Sequence, residues 1–119
     1  MAASATPRRA RPAVERIIDI HNHPNWHGHD VDALVRNMDA HGIETTWLLS
    51  WELPPREFDM APVYHGAMDP RGTAAPLAGV IEGLHRHPGR FVGGWAPDPR
   101  DPLARAKLRA AVQIHGIRV

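Results

Sequence analysis

At 119 residues the chain can bury one modest core, which points to about one domain. Lys and Arg number 14 against 13 Asp and Glu, a balance that argues against nucleic acid or an acidic macromolecule as partner. There is no cysteine, so disulfides, thiolate nucleophiles and Cys-type zinc sites are excluded, and any metal must be held by His, Asp or Glu.

No apolar run approaches the ~20 residues of a membrane span, and the lack of cysteine suits a cytoplasmic protein. Residues 1–14 are small, basic and broken by proline, with Arg8, Arg9 and Arg11 among them. They lack the apolar region of a secretory signal and are expected to form a disordered tail ahead of one unit over 15–119.

Ile17-Ile18-Asp19-Ile20-His21-Asn22-His23-Pro24 reads as a β-branched strand stopped by proline. Strand alternation puts Asp19, His21 and His23 on one face and Ile18, Ile20 and Asn22 on the other. Two imidazoles side by side on one face can bind the same divalent ion. Asp19 lies one layer deeper. It either orients an imidazole by accepting its N–H or is a structural carboxylate bonded to backbone amides.

Asp30 is a good N-cap for a helix whose apolar face is Val31, Leu34, Val35 and Met38, ended by His41-Gly42. Ile43 to Ser50 reads as a second strand, mostly buried, with Trp47 in the core. From Trp51 to about Gly72 the pattern vanishes, and a loop of about twenty residues is long against the usual ~4–6. Thr73 can cap a second helix with Pro76 in its first turn and Leu77, Val80, Ile81 and Leu84 on its inner face.

Phe91 to Ala96 is a third strand, whose two glycines suggest close backbone approach or a bulge. Asp101-Pro102 starts a third helix lined by Ala104, Leu108, Ala111, Val112 and His115. His115-Gly116-Ile117 repeats the His41-Gly42-Ile43 junction, and Ile117-Arg118-Val119 is expected to begin a fourth strand. The order β-α-β-α-β-α-β implies parallel strands with helices packed outside.

Three pairs have the spacing His-x-His. His21 and His23 share a strand face, whereas His27 and His29 flank a glycine in a loop where nothing fixes their directions. His85 and His87 close a helix, where i and i+2 diverge by about 200°. Trp26, Trp51 and Trp95 each fall at or just past the end of a predicted strand. In a parallel sheet those ends share one rim, where ligands bind. Three indoles there would suit a flat substrate; the alternative is three separate packing residues. His65 lies in the long loop, which could fold over the same mouth. Asp98 follows strand three and either contacts substrate or makes a turn.

Asp19-x-His21-x-His23-Pro24, the Met38-Asp39-x-x-Gly42-Ile43 helix end, Arg90-Phe91-Val92-Gly93 and Asp98-Pro99, in that order, resemble the amidohydrolase-related family 2. Its members are metal-dependent hydrolases and decarboxylases of the amidohydrolase superfamily. The resemblance implies a TIM (β/α)8 barrel with its site at the C-terminal strand ends, two metal ligands matching His21 and His23, and most commonly zinc. Further ligands and the general acid/base would come from strands five, six and eight. The chain is therefore expected to be an N-terminal half-barrel ending in strand four, with the catalytic residue beyond Val119.

The implied chemistry is hydrolysis of a lactone or amide by metal-activated water. Decarboxylation of an aromatic or enoic carboxylate is the alternative, and a non-catalytic truncated half-barrel a third. The expected partner is a small molecule such as a cyclic or aromatic carboxylate, with no nucleic acid and no membrane. Open strand edges are expected to drive self-association or a homo-oligomer.

Overall fold

The computed structural model describes residues 16–26, 28–51 and 75–119. The elements follow in the order β1 (Ile17–Asn22), α1 (Val31–His41), β2 (Ile43–Leu49), α2 (Leu77–Arg86), β3 (Phe91–Gly94) and α3 (Ala104–His115). The three strands form one parallel sheet in the order β1-β2-β3. Among the described residues no helix is long and apolar enough to cross a membrane.

The signals that start and stop α1 act as their chemistry dictates. The Asp30 carboxylate accepts the Ala33 N–H at 2.8 Å, satisfying an orphan donor of the first turn. Gly42 closes the helix at φ 68°, a left-handed conformation that glycine adopts without a Cβ penalty. Gly116 does the same for α3 at φ 67°, so the repeated His-Gly-Ile tripeptide is a repeated helix-to-strand exit.

The core is one cluster of Val31, Leu34 and Met38 from α1, Leu48 from β2, Val80 from α2, Phe91 from β3, and Ala111 and Ile117. It occupies one face of the sheet. Along β2 Thr46 and Leu48 are buried, as is Ser50 just past its end, while Trp47 is 36% exposed. Strand two is therefore covered on one side only, and Trp47 is not a core residue. The other face carries Ile18 and Ile20, 46% and 64% exposed.

Helix α2 starts at Leu77, with Pro76 as its N-cap residue, not inside the first turn; Thr73 lies outside the described residues. Its most buried positions are Gly79, Val80 and Gly83. A Cβ on Gly83 would stand 2.7 Å from Leu48 Cδ2, and one on Gly79 would stand 2.8 Å from Pro24 Cβ. Two glycines thus let the helix axis approach the sheet closely, and Leu77 and Leu84 pack only partly against the core.

The half-barrel expectation is overturned. The described residues build a small α/β domain with a three-stranded open parallel sheet and three helices. Residues 117–119 form no fourth strand and make a single pairing with the end of β3: the Val119 N–H donates to the Gly93 carbonyl at 3.2 Å and the Trp95 N–H to the Val119 carbonyl at 2.9 Å, on either side of Gly94. Nor does α3 cover the sheet as its apolar stripe predicts. Only Ala111 of that helix is buried, and Leu108 and Val112 are 37% and 49% exposed. Its start is also later than Asp101-Pro102: the Asp101 carboxylate accepts the Leu103 N–H at 2.8 Å, closing a turn ahead of Ala104.

Candidate metal centre at the end of strand one

His21 and His23 lie at the C-terminal end of β1, and their Nε2 atoms are 3.2 Å apart. The rings meet edge to face, with centroids 5.0 Å apart and planes at 82°. Strict alternation does not produce this arrangement. The pairing of β1 with β2 slips between Asp19 and Asn22, where Asp19 faces Thr46 and Asn22 faces Leu48. That irregularity puts Asn22 within reach of Asp19, although alternation assigned it to the opposite face with Ile18 and Ile20.

The slip is held by a short chain of hydrogen bonds. Asp19 Oδ1 accepts the His21 backbone N–H at 3.1 Å, and Asp19 Oδ2 accepts from Asn22 Nδ2 at 3.1 Å. Asn22 Oδ1 in turn accepts the His23 N–H at 2.9 Å. Asp19 is therefore bonded to the turn beneath the imidazoles and to neither ring. The carboxylate shapes the backbone from which the histidines project, the second of the two roles the sequence left open.

The orientation of His23 comes from the neighbouring strand. Its Nδ1 lies 2.8 Å from the Leu49 carbonyl oxygen. A carbonyl can only accept, so Nδ1 carries the proton and the Nε2 lone pair is free. His21 Nε2 either donates its N–H to that lone pair or, as the other tautomer, turns a second lone pair toward the same point. A zinc–nitrogen distance of about 2.05 Å would make an N–Zn–N angle of about 103° across this gap, close to tetrahedral. The separation suits a shared divalent ion when His21 too turns a lone pair toward it.

Past His23 the chain is pinned. Pro24 is fully buried and seated against Gly79 of α2, and Asn25 turns the backbone at φ 60°. Trp26 and Trp51 pack on His23, with centroids 5.2 and 5.8 Å from the imidazole and 5.4 Å from each other. Trp95 is the tryptophan that does not join them. It packs against the core cluster, and its buried Nε1 has no hydrogen-bond partner.

The remaining candidates separate. His27 and His65 lie outside the described residues. His87 is bonded through Nε2 to Asp32 Oδ1 at 2.6 Å, while His85 faces His115 across α2 and α3 with centroids 6.2 Å apart. Asp98 accepts the Arg100 backbone N–H at 3.0 Å and the Arg100 Nε at 2.9 Å, which is the turn role. Among the described residues no group of three or more His, Asp or Glu side chains is placed to hold a metal ion.

Two participants were not singled out from the sequence. Asn22 carried a signal, being an amide at a strand end between two histidines. The Leu49 carbonyl carried none, because a backbone acceptor from another strand has no residue type. No family model, curated protein or solved structure matches the chain.

Proposed function

We propose that the chain is a metal-dependent hydrolase of the amidohydrolase type, using His21 and His23 as two ligands of a divalent ion, zinc by preference, and acting on the C–O or C–N bond of a lactone or amide. The observation that carries this reading is the 3.2 Å gap between two Nε2 atoms, one of them with its lone pair fixed by the Leu49 carbonyl. A divalent ion held there would polarise a carbonyl and lower the pKa of a bound water.

The chain's own residues do the rest. Leu49 holds His23 in the tautomer that a ligand needs. Asp19 and Asn22 fix the backbone that aims both rings. Trp26 and Trp51 shield the inner imidazole from water, which strengthens any electrostatic contact made there. A catalytic zinc usually has three protein ligands, of which His21 and His23 would be two. The lack of cysteine, which the chemistry does not need, agrees with a cytoplasmic setting.

Calorimetric titration of the full chain with zinc tests the reading, together with a hydrolysis screen over small lactones and amides. Saturable binding at one site that disappears in the His21→Ala, His23→Ala double variant is expected. Titration heat unchanged in that variant would remove the pair as a ligand set.

A further inference from the structure

Beside the histidine pair lies a cleft of about 300 Å³ lined by Asn22, Trp26, His29, Ala33, Leu34 and Asn37. We propose that this cleft is a binding subsite for a small planar ring bearing a carboxamide or lactam group. It rests on the metal-site reading for its role as the place where a substrate ring sits, and on its own geometry for its existence.

The cleft lies between the end of β1, the turn after it and one side of α1. Trp26 and His29 face each other across an isolated antiparallel bridge, closed by the His29 N–H to the Trp26 carbonyl at 3.0 Å. That bridge places an indole and an imidazole at one mouth. Ala33, Leu34 and Asn37 come from adjacent positions on α1, and the small Ala33 side chain leaves the space open. Its volume is at the lower end of small-ligand sites, which run from about 300 to 1,000 Å³, so a single ring fits and a large ligand does not.

Polarity selects the class. The side chains of His29 and Asn37 are exposed and, among the described residues, make no hydrogen bond within the chain, so both are open to a ligand. A primary amide such as Asn37 pairs reciprocally with another amide, one N–H donated and one accepted. Leu34 and the indole of Trp26 supply the apolar walls for a ring. The cleft also shares Asn22 and Trp26 with the histidine site: Asn22 accepts the His23 N–H and Trp26 packs on the His23 ring.

The test is benzamide titrated into the full chain, followed by amide, indole and side-chain NMR shifts. Saturable shifts centred on Trp26, His29 and Asn37 are expected. Ala33→Trp, which fills the cleft, should abolish them, and Asn37→Leu, which keeps the shape and removes the amide, should weaken binding at least fivefold. The His21→Ala variant, which leaves the contact between His23 and Trp26 in place, should still bind benzamide while losing zinc. Shifts that do not saturate, or that survive both Ala33→Trp and Asn37→Leu unchanged, overturn the cleft. Zinc binding without benzamide binding overturns the cleft alone; benzamide binding without zinc binding supports it and overturns only the metal reading.

Discussion

Gly79→Ala couples the packing of α2 to the metal site and can be worked through in advance. The new Cβ would lie 2.8 Å from Pro24 Cβ and 2.9 Å from Pro24 Cγ, against about 3.5–4.0 Å for carbon atoms at ordinary contact. Something must move by about 0.7 Å or more. The obstacle is a buried proline ring, which cannot rotate away as a flexible side-chain end would. Alanine gains up to about 1 kcal/mol over glycine in a helix interior, and overpacking a well-filled core costs about 1–3 kcal/mol. The net expectation is a loss of up to about 2 kcal/mol, seen as a lower urea midpoint with an unchanged slope. Pro24 follows His23 directly, so the same displacement reopens the 3.2 Å gap between the Nε2 atoms. Zinc affinity should fall by about tenfold or more, the scale on which groups that orient metal ligands act. Ala78→Gly is the control, since Ala78 is exposed on the same helix; it should lose helix stability and keep its zinc affinity. A Gly79→Ala protein that is more stable by about 1 kcal/mol and binds zinc unchanged would refute the reasoning.

Asp19→Ala removes the acceptor for the His21 N–H and the Asn22 amide, and should weaken zinc binding by about tenfold in calorimetry, with Asp19→Asn restoring part of it. On the acid side, the His87 hydrogen bond and nearby arginines hold the Asp32 carboxyl below the usual carboxylate range, as Lys107 does for Asp101. A depressed carboxylate contributes stability above that range and loses it as pH falls through the lowered value. The stability gap between wild type and Asp32→Asn should therefore be present at neutral pH and close below about pH 4, as read by urea midpoints across pH. Finally, Ile20→Lys on the bare sheet face should shift the chain toward monomer in sedimentation, because a lysine beside an exposed strand edge opposes pairing with another chain; no change in mass would assign any self-association to another surface.

The parts of the fold that could be read from the sequence were those set by local chemistry. Asp30 as a cap, Gly42 and Gly116 as left-handed exits, and the alternation of strand and helix all depend on residues within one turn of each other. What the sequence did not reveal depends on which surfaces meet. The stripe of Leu108 and Val112 has the spacing of a buried face, but spacing cannot tell whether a partner is present, and here only Ala111 is covered. Trp47 sits in an apolar strand that reads as buried on both sides, whereas one layer of helices covers one side. In α2 the apolar spacing of Leu77, Val80, Ile81 and Leu84 found the buried Val80, but the closest approach is made by glycines, which apolar periodicity does not count. The barrel was inferred from a resemblance in motif order, and motif order does not fix how the last three residues pair with β3.

The histidine pair illustrates how an expected position can rest on a different cause. Alternation predicted that His21 and His23 would share a face because they are two apart on a strand. The strand slips between Asp19 and Asn22 and ends at Asn22, so His23 lies beyond the region where alternation applies. The rings still meet, because Asp19 and Asn22 fix the turn, Leu49 holds the His23 imidazole from β2, and Pro24 is seated on Gly79. Each of those contacts comes from β1, the end of β2 or α2, and none comes from α3. Changes that loosen α3, such as Leu108→Ala, should thus leave zinc affinity within about twofold of wild type, while Gly79→Ala, in a helix the histidines do not belong to, should not. A site sensitive to α2 and indifferent to α3 is the pattern this architecture requires, and parallel zinc titrations of the two variants decide it.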